Sequence, residues 1–194
     1  RLSTPINMKR GYEIIMKKSK IMYTLFGMGI PAAAYLLLFG ARTLHNIQRK
    51  QGTVNTYAIR NANTDMAIRV YNAGIPDETK IIQYKHQNWE CMTWQLIEME
   101  DGSFLLKNLY THKTFQPSAS PEQGVDLWQQ PLEANSLQYW EFIKQSDETY
   151  QIRLRGTELY ITPTSDESNA SLVLMPLQDG ANQQWVLIEQ HPIV

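Results

Sequence analysis

The residue types that carry most enzyme chemistry are present but scattered. His45, His86, His112 and His191 stand alone, with no HxxxH or HExxH spacing to hold a metal. Cys91 is the single cysteine and has no histidine or asparagine signature around it, so it reads as a buried thiol and cannot close an intramolecular disulfide. The carboxylate pairs Asp147-Glu148 and Asp166-Glu167 sit in polar, turn-forming stretches, whereas acid/base hydrolysis needs two carboxylates facing one another across a cleft. The ten glycines are dispersed and build no phosphate loop. The expectation is a protein that is not an enzyme and uses neither metal nor cofactor, leaving aromatic and amide side chains as the groups able to recognise a ligand.

Three tryptophans set the frame for those groups. Trp94-Gln95-Leu96-Ile97-Glu98, Trp140-Glu141-Phe142-Ile143-Lys144 and Trp185-Val186-Leu187-Ile188-Glu189 recur at intervals of 46 and 45 residues. A second marker keeps this period: Tyr57-Ala58-Ile59-Arg60, Phe104-Leu105-Leu106-Lys107 and Tyr150-Gln151-Ile152-Arg153. A third β-rich stretch precedes each tryptophan, at Lys80 to Tyr84, Val125 to Gln129 and Ser171 to Met175, and turn formers such as Asn72-Ala73-Gly74, Asp101-Gly102 and Asp179-Gly180 separate the runs. Units of this size cannot bury their apolar faces alone but can do so around a threefold axis. The repeats predict an all-β fold, a β-trefoil over residues 54–194 with units at about 54–100, 101–146 and 147–190. Trp94, Trp140 and Trp185 are its expected core.

The N-terminal region has a different composition. Of the 18 Lys/Arg and 19 Asp/Glu, residues 1–51 hold nine basic residues and one acidic, Glu13, leaving nine basic against eighteen acidic in the remainder. An acidic main domain repels phosphate, so nucleic acid is not an expected partner. Residues 1–20 form a basic segment. Residues 21–41 carry no charge, a length that suits a transmembrane helix or the apolar part of a signal sequence. Residues 42–53 then read as a linker. The basic excess ahead of the apolar run predicts a cytoplasmic N-terminus, with the trefoil anchored outside the cytoplasm or exported after cleavage.

Gln138-Tyr139-Trp140 and Asn182-Gln183-Gln184-Trp185 look like the QxW motif of ricin-B-type β-trefoil lectins. Val70-Tyr71-Asn72 followed by Ile81-Ile82-Gln83-Tyr84, and the stretch Gly124-Val125-Asp126-Leu127-Trp128, are similar to the matching parts of that family. The resemblance covers about residues 54–190. It implies a non-catalytic module that binds a glycan or glycoprotein, with an aromatic ring under the sugar and short polar side chains on its hydroxyls. On that reading the platforms fall at Tyr84 and Trp128, Met175 stands in the third unit, and Asn88, Asn135 and Gln129 supply polar contacts, with Gln83 beside Tyr84. Gln138 and Gln183 serve the fold by bonding backbone. The family's galactose-binding units carry an aspartate where this chain has Arg69, Gln116 and Ile161 or Thr162, and Met92 replaces the first QxW glutamine. A toxin delivery subunit similar to the A and C subunits of cytolethal distending toxins, packed on a catalytic partner, and a protein-binding trefoil without sugar affinity are the alternative expectations.

Overall fold

A computed structural model of the chain describes residues 55–146 and 148–192, within the unit spanning Gly52–Val194. The basic segment, the apolar run at 21–41 and the linker at 42–53 lie outside the described residues. Among the described residues, no helix is long and apolar enough to cross a membrane.

Twelve strands follow one another in three sets of four: β1 (Thr56–Asn61), β2 (Met66–Val70), β3 (Ile81–Lys85) and β4 (Trp94–Glu98); β5 (Phe104–Asn108), β6 (Thr114–Pro117), β7 (Leu127–Gln130) and β8 (Trp140–Lys144); β9 (Thr149–Leu154), β10 (Leu159–Pro163), β11 (Leu172–Pro176) and β12 (Trp185–Glu189). The first and fourth strands of each set close a six-stranded antiparallel barrel, in which β1 pairs with β4 and β12, β5 with β4 and β8, and β9 with β8 and β12. The second and third strands form three hairpins, β2–β3, β6–β7 and β10–β11. Six barrel strands and three capping hairpins make the expected β-trefoil.

Alternation along the strands fills the interior. Ile59, Leu106 and Ile152 point inward from the first strands, and Trp94, Trp140 and Trp185 open the fourth strands, all fully buried. Phe115 bridges two of the indoles, 5.1 Å from Trp94 in an edge-on contact and 5.2 Å from Trp140. Trp94 Nε1 donates to the Ile68 carbonyl at 3.1 Å, and Trp185 Nε1 to the Ile161 carbonyl at 3.3 Å. Trp140 Nε1 is buried and has no partner among the described residues.

The hairpins are tied to each other in a ring. Gln129 N donates to Thr79 O and accepts, through its carbonyl, the N–H of Glu78. Leu174 makes the same pair with Val125 and Gly124, and Gln83 makes it with Ala170 and Asn169. Each third strand is therefore hooked by a loop of another unit, and the three hooks turn through positive φ at Glu78 (61°), Gly124 (86°) and Asn169 (70°). Because these bonds repeat around the ring, they fix which residues of the three units correspond.

Candidate functional site

The ring of hooks makes Gln83, Gln129 and Leu174 equivalent, each eleven residues before its tryptophan. Their cross-strand partners Ile68, Phe115 and Ile161 are equivalent in turn, and one step further along lie Arg69, Gln116 and Thr162, facing Ile82, Trp128 and Val173. This corrects the alignment of the aromatic platforms. Tyr84 corresponds to Gln130 and Met175, while the counterparts of Trp128 are the buried Ile82 and Val173. It also makes Thr162, rather than Ile161, the third-unit counterpart of Arg69 and Gln116.

In the second unit, Gln116 and Trp128 are directly opposed on β6 and β7, so their side chains share one face. Gln116 Oε1 accepts from Gln138 Nε2 at 2.9 Å and from Asn135 Nδ2 at 3.4 Å. Asn135 Oδ1 accepts from Leu137 N, capping the short 3-10 turn Ser136–Gln138. The buried Gln138 receives the N–H groups of Glu133 and Ala134 on its Oε1, each at 3.0 Å, and donates to Pro131 O at 2.8 Å. It holds the loop that presents Asn135 beside Gln116. Gln183 does the same in the third unit, accepting from Gln178 N and donating to Pro176 O and to Thr162 Oγ1 at 2.8 Å. Both glutamines are bonded to backbone and buried.

Gln129 is not where a ligand contact must be. It is fully buried, and its Nε2 donates to the carbonyls of Gly74, Ile75 and Pro76. Gln83 is buried too, donating to Ser165 O and Glu167 O and accepting from Thr64 Oγ1. Strand alternation explains both. Residues next to a platform on the same strand point through the sheet to the opposite face, here onto the neighbouring loop.

The first unit is built differently. Arg69 lies with its guanidinium 4.5 Å from the Tyr84 ring and 5.4 Å from the Trp89 ring, and the two rings stack at 6.4 Å and 28°. Tyr84 is thus half-buried under an arginine. Asn88 is exposed on the rim of a depression of about 420 Å³ that Arg69, Trp89, Glu90, Cys91 and Tyr110 also line. Cys91 is 7% exposed, and Met92 is buried in a small cluster with it. In the third unit a depression of about 370 Å³ is lined by Thr162, Val173, Met175, Gln178 and Asn182, with no aromatic ring.

No sequence signal places a lone arginine against two rings, so the contact of Arg69 with Tyr84 and Trp89 is visible in the structure alone. Among the described residues, no group of three or more His, Cys, Asp and Glu is arranged to hold a metal.

A six-stranded barrel capped by three hairpins, with the buried Gln138 and Gln183 organising a loop beside the second and third hairpins, defines a β-trefoil. Residues 85–175 match the model of the ricin-type beta-trefoil lectin domain-like family. No curated protein matches the chain. Among solved structures, the designed threefold-symmetric protein ThreeFoil is similar, at 23% identity and TM-score 0.67, over 69% of this chain and 98% of that one. The ricin B-like lectin of Macrolepiota procera, solved in complex with lactose, aligns at 14% identity and TM-score 0.61 over 69% and 94%. An exo-β-1,3-galactanase from Clostridium thermocellum aligns at 21% identity and TM-score 0.67 over 70% of this chain and 30% of its own length. At these identities the likeness concerns the fold.

Proposed function

We propose that the domain is a non-catalytic carbohydrate-binding module whose second unit is the site for a neutral sugar. The observation that carries this is the cluster of Gln116, Asn135 and Trp128 on one surface, organised by Gln138. An aromatic ring beside two amides offers an apolar face for a pyranose ring and hydrogen-bonding groups for its hydroxyls. Gln116 Oε1 already accepts two bonds within the protein, which leaves its Nε2 as the group to meet a hydroxyl oxygen. The family match includes the whole of this unit, and the Macrolepiota procera relative carries lactose in its structure. The charge-free run at 21–41 behind a basic segment supports display outside the cytoplasm.

The test is a glycan array probed with the full chain and with Trp128→Ala, each checked by circular dichroism for retained folding. Binding to neutral glycans that falls about tenfold in the folded variant supports the proposal. Binding that is equally strong in both places the sugar elsewhere. Silence of the parent chain across the array favours a protein-binding trefoil, a reading that the missing aspartate in all three units supports.

A further inference from the structure

Arg69 occupies in the first unit the place that Gln116 and Thr162 hold in the others, and it brings a charge where they bring neutral groups. The three other described arginines each have an acidic partner: Arg60 pairs with Asp65, Arg153 with Glu141 and Glu158, and Arg155 with Asp101. Arg69 has no ion pair among the described residues, and its Nε is buried without an acceptor. Arg69 is half-buried, so its charge is partly desolvated without a counter-charge, and the Tyr84 and Trp89 faces offset only part of that cost. The guanidinium is also held against two rings at the wall of the 420 Å³ depression, so its fork is already oriented.

The rest of the lining indicates what accompanies the negative charge. Trp89 and Tyr110 are each 45% exposed, and Asn88 adds an exposed amide beside them. Rings plus an amide suit a pyranose; a planar, unpaired guanidinium suits a carboxylate. We propose that this depression takes a carboxylate-bearing sugar of the uronic acid class, its carboxylate on Arg69 and its ring against Trp89 or Tyr110. The inference rests on the carbohydrate-binding reading of the domain but concerns a different unit and a different ligand charge. Glu90 lines the same depression and opposes an anion, so its charge weakens the site it borders.

The experiment is a chemical-shift titration of the full chain with D-glucuronate, with D-glucose, which carries a neutral hydroxymethyl group in place of the carboxylate, and with acetate. Glucuronate is expected to bind about tenfold or more tighter than glucose or acetate. Arg69→Gln removes that preference, Arg69→Lys keeps part of it because the charge remains without the fork, Glu90→Gln tightens glucuronate binding several-fold, and Trp128→Ala leaves it unchanged. Equal binding of glucuronate and glucose, or a preference that survives in Arg69→Gln, overturns the inference, and acetate binding as tightly as glucuronate overturns its sugar part. If neutral-glycan binding dependent on Trp128 persists while glucuronate shows no preference, this inference fails alone. If the Arg69-dependent preference is seen without neutral-glycan binding, the second-unit reading fails and this one stands.

Discussion

Gln138 Nε2 lies 2.9 Å from Gln116 Oε1, joining the loop ahead of β8 to the hairpin strand β6. The same link in the third unit runs from Gln183 Nε2 to Thr162 Oγ1 at 2.8 Å. In the first unit neither partner survives, since Met92 and Arg69 stand at those positions and Arg69 turns onto aromatic rings instead. One scaffold connection thus appears in two chemistries and is absent once. The three faces are therefore not copies: one is amide and aromatic, one mixed and without a ring, one cationic.

Placing the first unit's residue in the second tests how much that connection supports. Gln138→Met leaves the N–H groups of Glu133 and Ala134 and the carbonyl of Pro131 without their partner. The expected loss is about 3 kcal/mol, read as a shift in the urea unfolding midpoint. Gln183→Met strands fewer backbone groups, Gln178 N and Pro176 O, and is expected to cost less. Equal losses would mean that the loop relaxes to rebond its own backbone.

The three core tryptophans differ in one respect. Replacing each by Phe removes similar buried surface, but Trp94 and Trp185 also lose a bond to a buried carbonyl that Trp140 does not make. Trp94→Phe and Trp185→Phe are each expected to destabilise by about 1 kcal/mol more than Trp140→Phe in the same denaturant experiment. Truncation of any of the three to Ala is expected to cost about 3–5 kcal/mol.

The period of the trefoil is legible in the sequence because the core needs the same large side chain at the same seam three times, and the QxW glutamines are legible because backbone must be bonded at each seam. The platforms are less legible. Aligning aromatic with aromatic matches Tyr84 to Trp128, although counting back from each tryptophan pairs Gln83 with Gln129 and Leu174 at a constant eleven residues. The hairpin loops before that point vary in length, so Arg69, Gln116 and Thr162 lie 25, 24 and 23 residues ahead of their tryptophans, and spacing alone does not settle their equivalence. Strand pairing does, since Arg69 faces Ile82, Gln116 faces Trp128 and Thr162 faces Val173.

Asp101 gives the domain an acid-sensitive contact. Hydrogen bonds from the Ser103 hydroxyl and the Ser103 backbone, with the Arg155 guanidinium nearby, hold its carboxyl below the ordinary 3.8. A carboxylate whose folded value is depressed adds stability above its unfolded value, and that contribution is lost as the pH falls through the folded one. Asp101→Asn is therefore expected to be less stable than the parent at neutral pH, with the difference closing below about pH 4. Thermal unfolding midpoints of the pair across that range check it, and a gap independent of pH would show that the charge at Asp101 is not involved.

Gln116→Asp tests whether the second unit lacks only the charged acceptor of the family's galactose-binding units. Donors stand nearby, since Gln138 Nε2 and Asn135 Nδ2 both reach the Gln116 side-chain oxygen, and the loop amides must follow a carboxylate one methylene shorter to bond it. The shorter side chain sets the carboxylate deeper, closer to β6, which favours ligands seated low against Trp128. Charge-assisted hydrogen bonds to sugar hydroxyls are stronger than those of a neutral amide. Lactose binding by the folded variant is expected to be about tenfold tighter than by the parent chain and to fall as the pH drops below about 4, where the carboxylate is protonated. Unchanged affinity would mean that the Trp128 face, not the residue at 116, limits what this unit can hold.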